Sequence, residues 1–483
     1  NVVLFHWLTG TPILQSVIVV GQILNALAPL TIYPLVRRLG GSEWVRLIAG
    51  RIPPLLSPMP AGYVNWGRYT QLTGMTVLPV AATLTIDAVS SRDRSWRRLI
   101  LASIAVAGLV LSHYLVTLLF VPLILAYLLW WSGRSQVFSR DRYLPSSNQQ
   151  TPGDPRARQG KTWLLLSRVV SPWLRAGAVG LMAGLLIAPW ILNLWSGYLP
   201  RVLAGRFGHG GQTAYFQTAY NAVGDLFAYV PPWLIALAAA GAVWGCWQRR
   251  PLAIVTSVWT ALLVLVANPN LIGLPGAGVV NNFMLQIALY LPLSMVAGTG
   301  LAQVIEGVNT RIPYGQLITT VLVVVVALAG ARLRLTDLDY RYRLVAPADM
   351  PAMEWIRDHT PTDARFLVNT FATFGGHLIV GEDAGWWIPY LAGRRNTVPP
   401  ATYGMEAAND PDYPNQVHSF YRQIKAHPLD SAEAVEVLRA NGITHVYAGA
   451  VGGQLVDPAA LRDSPFYRLV YDQDGVMIFE VAK

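Results

Sequence analysis

Cysteine is nearly absent from this chain. The single one, Cys246, lies inside an apolar run, so no disulfide framework holds the protein together. Charge is scarce as well. Asp, Glu, Lys and Arg make up 13% of the 483 residues against 53% hydrophobic ones, a balance foreign to soluble proteins of this length. The common chemical signatures are missing too: no P-loop, dinucleotide fingerprint, His/Cys metal spacing or Ser nucleophile elbow occurs. These absences argue against ATP-driven transport and against classical hydrolase chemistry. Nor are acids paired inside the apolar runs, since Asp87 and Asp225 fall at run ends. An ion-coupled transporter would usually show such pairs.

What the chain has is apolar length. Ten segments, roughly 13–36, 44–57, 72–90, 99–112, 115–131, 175–195, 225–247, 252–267, 283–304 and 316–332, approach the span of a bilayer core. The stretch 99–131 fits two helices or one bent helix. The expected architecture is a polytopic α-helical membrane domain of about ten transmembrane helices, residues 1–332, followed by a small α/β domain, residues 333–483. The net charge of +10 does not point to nucleic acid, because the basic residues sit in short loops between apolar runs. One set of loops carries eighteen Lys and Arg; the opposite set carries Arg68, Arg201 and Arg206. The first set is therefore expected in the cytoplasm, and ten crossings place 333–483 outside. The basic loop 132–162 is expected to be flexible and to touch anionic lipid heads.

The soluble part alternates helix and strand signals. Ala348-Asp349 is an N-cap candidate, Arg365–Asn369 a strand, and Tyr413–His427 and Ser431–Ala440 are helices. Ile443–Ala448 is a further strand. Tyr467–Tyr471 and Val476–Val481 form a hairpin around Asp472-Gln473-Asp474-Gly475.

Five stretches hold groups that could do chemistry. The first outer loop, 58–74, brings Tyr63, Asn65, Trp66, Arg68, Tyr69 and Gln71 together: aromatic faces stack on sugars, and amides and guanidinium bind hydroxyls and phosphates. An aromatic belt at the membrane surface would use some of the same residues. His113 stands between two apolar runs, as a packing histidine or a substrate contact. Loop 196–224 places Arg201, Arg206 and His209 among glycines, as a cover for an anionic head group or a plain outer loop. Segment 267–282 is uncharged and ends in Asn281-Asn282, which makes it a lining or re-entrant segment. Val380–Pro400 gathers Glu382, Asp383, Trp386, Trp387, Arg394 and Arg395. It offers an acceptor, a tight turn, stacking surface and a phosphate-sized cation, or else a turn with buried tryptophans and an ion pair.

On these residues the chain resembles the GT-C superfamily of integral-membrane glycosyltransferases of prokaryotes. LFHWLTGTPILQS (4–16), WGRYTQLTG (66–74) and LSHYLVTLL (111–119) carry the resemblance in the membrane part. ADMPAMEWIRDHTPTDARFLV (348–368) and the ITHVYAGA and FYRLVYDQDGVMIFEV stretches carry it in the soluble part. Asp383 to Ile388 also resembles the second half of the WWDYG-type signature of oligosaccharyltransferases, with Gly381 and Glu382 where its leading tryptophans stand.

The resemblance implies transfer of a sugar from a polyprenyl-phosphate-linked donor to a glycan, lipid or protein acceptor at the outer face of a plasma membrane. It assigns Trp66, Arg68, Gln71, His113, Arg201 and Arg206 to the donor, and Glu382, Asp383, Trp386, Trp387 and Arg394 to the acceptor. It allows a divalent metal (Mg or Mn). It also implies an acidic residue in the first outer loop of the family as base or ligand. That position is expected before Asn1, since the first acid here is Glu43, on the cytoplasmic side. The alternative is a non-catalytic protein of this fold that binds glycans or envelope partners.

Overall fold

The computed structural model describes residues 2–91, 95–141, 155–197, 200, 203–204, 207, 219–336, 339, 342–373, 376, 378–404, 406 and 409–482. The chain divides into two compact units, Asn1–Pro189 with Gly205–Asp339, and Trp190–Ala204 with Tyr340–Lys483.

The first unit is helical. Its elements relevant to function are α1 (Ile13–Leu30), α2 (Ile32–Arg38), α3 (Glu43–Leu56), α4 (Tyr69–Ser90), α5 (Trp96–Ser112), α6 (Tyr114–Asp141), α7 (Pro155–Leu186), α8 (Pro232–Trp247), α9 (Pro251–Ala267), α10 (Asn282–Ala288), α11 (Tyr290–Arg311) and α12 (Gly315–Arg334). Among the described residues, five stretches are long and apolar enough to cross a membrane: Ile13–Arg38, Tyr69–Ser90, Tyr114–Arg134, Tyr290–Arg311 and Gly315–Arg334. The pair Val170–Leu186 and Ala188–Ser196, bent by 66°, makes either a sixth, broken span or a re-entrant loop, while α8 and α9 are apolar but shorter. Of the ten apolar segments expected, five or six thus reach full crossing length among the described residues, and the others form shorter apolar helices or fall below that length.

The segment 99–131 is two helices. The break falls at His113, whose φ of −165° and ψ of 105° are extended, so its ring stands at the junction of α5 and α6.

Packing in this unit depends on small residues where helices meet closely. A Cβ on Gly241 of α8 would lie 2.1 Å from the Val296 carbonyl oxygen of α11. This is the close backbone approach that small residues permit between helices in lipid, where apolar burial alone drives no association. The outward faces remain apolar. On α12, Leu317, Val321, Leu322, Val325 and Leu328 are all exposed, as the lipid-facing side of a crossing should be.

The second unit is α/β. Its sheet has the order β4-β1-β5-β7-β6, formed by β1 (Arg365–Leu367), β4 (Arg395–Asn396), β5 (His445–Ala448), β6 (Tyr467–Gln473) and β7 (Val476–Val481). The first three strands run parallel, and β7 pairs antiparallel with β5 and β6. A separate hairpin joins β2 (Thr370–Thr373) to β3 (Leu378–Gly381).

Strand alternation divides the core between the two sheet faces. Phe366, Tyr447 and Ile478 pack on one face with Ala352, Met353 and Ile356 of the helix Asp349–His359. Leu367, Val446 and Phe479 pack on the other with Val435 and Leu438 of the helix Ala432–Ala440. The expected hairpin is present, turning on Asp474 and Gly475 with φ of 52° and 82°, the left-handed pair that a two-residue connection requires. Ser431 caps the helix Ala432–Ala440 through the Ala434 N–H.

Asp349 is not a cap. The helix begins at Asp349 itself, and its carboxylate reaches backward and across the sheet, accepting from the Ala346 N–H, the Ala450 N–H and the Tyr447 hydroxyl at 2.6, 3.0 and 2.7 Å.

Candidate functional site

The residues ahead of α4 turn sharply. A single helical turn, Gly62–Asn65, ends at Trp66, Gly67 adopts φ +63°, and Arg68 then sits as the N-terminal flank of α4. This turn sets the Trp66 ring and the Arg68 guanidinium side by side. The guanidinium carbon lies 5.9 Å from the Trp66 ring centroid and 5.0 Å from that of Phe283, within cation–π range. Trp66, Phe283 and Tyr229 close a triangle, with centroid separations of 5.8 Å for Trp66–Phe283, 5.7 Å for Trp66–Tyr229 and 5.4 Å for Tyr229–Phe283.

Arg68 donates to the Gln71 side-chain oxygen at 3.2 Å. Among the described residues no carboxylate pairs with it. A half-buried cation on aromatic faces without a counter-charge is costly to keep. It is also well suited to an anion. Gln71 is 2% exposed, and its amide nitrogen has no partner among the described residues; the same is true of His113 Nδ1. One turn beyond Gln71, a Cβ on Gly74 would stand 3.1 Å from the His113 Cβ, so His113 packs on the face of α4 that carries Gln71.

Phe283 and Tyr229 have little sequence signal of their own; Phe283 is positioned by a buried amide lattice, and Tyr229 follows a short turn capped by Asp225. Asn221 donates to the Ala267 carbonyl and accepts from the Asn282 N–H, both at 2.8 Å; Asn282 returns a bond to the Asn221 carbonyl at 2.7 Å. Asn268 and Asn282 exchange bonds at 2.9 Å, and Asn281 caps α10 through the Met284 N–H. The Asn281-Asn282 pair therefore ties segment 267–282 to residue 221 and fixes Phe283, the next residue, against Arg68. That pair was the available sequence signal for this side of the site. Arg201, Arg206 and His209 lie outside the described residues.

In the second unit Val380–Pro400 wraps the carboxyl ends of β1 and β5. Asp383 is fully buried and accepts from the Gly385 N–H (2.8 Å), Asn369 Nδ2 (2.8 Å) and the Gly449 N–H (3.0 Å). Burial pushes its carboxyl up to about 6, although those three bonds pull the other way. Glu382 accepts from the Gln454 N–H at 2.8 Å, and Asn369 from the Val456 N–H at 2.8 Å. Together these side chains hold the glycine-rich loop 449–454.

Arg394 is buried at the end of the helix Asp349–His359. It donates to the carbonyls of Arg357, Thr360 and Ala392 at 2.7–3.2 Å, which are groups left unpaired where that helix stops and the chain turns. Trp386 packs on Gly381 and donates to the Pro399 carbonyl at 3.2 Å. Trp387 is half-buried and meets the exposed Tyr390 edge-on at 6.2 Å. So most of the segment's buried polar atoms are engaged inside the unit; its accessible face includes Trp387, Tyr390, Arg395 and part of Glu382.

Among the described residues no three His, Cys, Asp or Glu side chains gather as a metal site requires.

Comparison with known proteins shows the fold. Residues 2–154 match a family of unknown function, DUF6541, and the curated proteins yielded no match. Among solved structures, the arabinofuranosyltransferase AftD from Mycobacteria is similar over 99% of this chain and 36% of its own, at 17% identity and a TM-score of 0.52. The Archaeoglobus fulgidus oligosaccharyltransferase bearing a tethered acceptor peptide matches 90% of this chain and 57% of its own, at 14% identity and a TM-score of 0.47. AglB from the same organism, in complex with an inhibitory peptide and a dolichol-phosphate, covers 94% and 61%, at 14% and 0.48. This chain spans about a third to three fifths of the length of these proteins. The fold is GT-C-like: a membrane domain of several apolar helices and a small sheet-containing region toward the C-terminus.

Proposed function

We propose that this protein transfers a sugar from a polyprenyl-phosphate-linked donor to an acceptor outside the membrane, and that Arg68 receives the donor phosphate. One observation carries the reading: among the described residues a half-buried guanidinium, framed by Trp66, Phe283 and Tyr229, has no carboxylate partner, and the buried amide nitrogen of Gln71 beside it has no hydrogen-bond partner. A phosphodiester supplies what both lack, with oxygens for the guanidinium and for the amide N–H.

The aromatic triangle provides stacking faces for a sugar or a prenyl unit. His113 Nδ1 is a further polar group for a hydroxyl. By holding donor and acceptor in line and stabilising charge on the departing lipid phosphate, such a site would lower the barrier chiefly through positioning and electrostatics. Trp387 and Glu382 are the acceptor-side groups of this reading, with Asp383, Trp386 and Arg394 keeping that segment in shape. Arg201 and Arg206 remain further candidates for the donor phosphate. The ten-crossing topology, with residues 333–483 outside a prokaryotic plasma membrane, belongs to the same proposal.

The test uses the full chain in nanodiscs with a polyprenyl-phosphate sugar. Arg68→Ala should weaken donor binding roughly a hundredfold while the protein stays folded, with Arg68→Lys intermediate. Undiminished binding by Arg68→Ala would remove Arg68 from the site. Donor and glycan binding without turnover would favour the non-catalytic alternative.

A further inference from the structure

Helix α12 is buried at few points: of its 20 residues, Gly315, Thr319 and Gly330 are enclosed. Its C-terminal end is nevertheless fastened. A Cβ on Gly330 would stand 2.8 Å from the Leu55 Cβ of α3, so the two helices approach closely there. One turn on, Arg334 donates to the Ser57 carbonyl at 2.8 Å. Beyond the helix, the Asp339 main-chain N–H donates to the Asn65 side-chain oxygen at 3.1 Å. Ser57 and Asn65 both belong to the connection between α3 and α4, the stretch that carries Trp66 and Arg68.

Asn65 closes the helical turn Gly62–Asn65, and that turn is tied on another side as well. The Tyr63 hydroxyl donates to the Ile287 carbonyl at 3.1 Å, on α10, the helix that presents Phe283. The Arg68 N–H donates to the Tyr63 carbonyl at 2.9 Å. Arg68 therefore hangs on a turn held from two directions, by α10 through Tyr63 and by the exit of α12 through Asn65. The two ties differ in strength. Tyr63 is fully buried, whereas Asn65 is half-buried, and Asp339 is the last residue before the chain passes into the second unit at Tyr340. A partly solvated bond at the edge of a unit is the one that opens first.

We infer that Asn65 is a positioning residue for Arg68, and that its bond to residue 339 is a latch through which the exit of α12 sets the geometry of the guanidinium. The inference rests on the reading of Arg68 as the donor-phosphate site. With the latch closed, Trp66 and Arg68 are held beside Phe283. With it open, the turn is left to the Tyr63 side, and the guanidinium loses its fixed distance from the aromatic faces. The exit leads into the second unit, so whatever orders or loosens it changes the affinity of Arg68 for an anion. The change equals the difference in affinity between the two latch states.

Two measurements on the full chain in nanodiscs test it: hydrogen exchange at the Arg68 amide, and binding of a polyprenyl phosphate. The latch uses the main-chain N–H of residue 339, so Asp339→Pro removes it, while Asp339→Ala loses the same side chain and keeps the bond. Asn65→Ala and Asp339→Pro should each speed exchange at Arg68 about fivefold and weaken binding about fivefold, the worth of one hydrogen bond. The double variant should do no more than either single one. Asp339→Ala should match the unaltered protein. Unchanged exchange in Asn65→Ala, additive effects in the double variant, or an equal change in Asp339→Ala would each overturn the latch. Exchange needs no ligand, so it decides the latch even if the unaltered protein binds no lipid phosphate, a result that would remove the Arg68 assignment instead.

Discussion

Arg68 and Arg394 are both buried or half-buried cations with no carboxylate partner among the described residues, yet they do opposite things. Arg394 donates to three carbonyls and a threonine hydroxyl around the end of one helix, and its five N–H groups are nearly satisfied within the domain. Among the described residues Arg68 makes one side-chain hydrogen bond, to Gln71, and otherwise rests on aromatic faces. The difference lies in the local supply of backbone acceptors. A helix that stops offers unpaired carbonyls; the flank of α4, where a helix starts, offers N–H groups, which repel a guanidinium and attract an anion. An arginine becomes available to a ligand when the backbone around it has nothing to accept its protons.

This contrast can be broken by substitution. Arg394→Ala should cost about 4 kcal/mol of the second unit's stability, because it leaves several buried carbonyls unpaired. Denaturant unfolding followed by hydrogen exchange on β1 and β5 would measure it, and a change under about 1 kcal/mol would mean water satisfies those carbonyls instead.

Next in size is a pH effect that separates Asp383 from His445. The folded pKa of Asp383 is raised to about 6 from the ordinary 3.8. Its contribution is therefore fully present below the unfolded value and is lost as pH rises through about 6, a fall of about 3 kcal/mol in all. Burial shifts His445 downward from its ordinary value, so its neutral form is favoured and its contribution is lost as pH falls through the unfolded value. The two slopes oppose each other. In His445→Gln the second unit should become more stable on acidification from pH 7 to pH 4; a flat profile would show that Asp383 titrates normally.

Arg68→Ala should then leave unfolding unchanged and weaken binding of a polyprenyl phosphate roughly a hundredfold, the worth of a charge-assisted pair in a dry site. Equilibrium binding in nanodiscs gives the answer. Asn282→Ala should act more mildly, at about tenfold. It removes amide bonds that position Phe283, so affinity should drop although Arg68 is intact. If Asn282→Ala binds like the unaltered protein, the lattice does not orient the site.

Much of the scaffold was legible in the chain. Apolar run length marked a membrane protein, alternation marked the β5 and β7 strands, and Asp474-Gly475 marked the hairpin. The cluster around Trp66, Arg68 and Gln71 was visible because its members are close in sequence and an aromatic belt has no use for Gln71. Tyr229 and Phe283 were not visible, since each reaches Arg68 from a distant part of the chain, Phe283 beside the Asn221–Asn268–Asn282 lattice. Paired polar residues within Val380–Pro400 looked available, but sequence spacing carries no information on which carbonyls will end up beside them.

The sequence by itself determined the solvent of each part of the molecule, the period and length of its elements, and the places where charge is concentrated, because these follow from local composition and from hydrophobic periodicity. Tertiary structure alone decided which of those charges is free to meet a ligand. Asp383 and Arg394 were enclosed by groups that include partners more than 30 residues away, Gly449 for Asp383 and Arg357 and Thr360 for Arg394, while Arg68 was placed where the described residues supply aromatic faces and no counter-ion. Availability is a property of the neighbours, and the neighbours are chosen by packing.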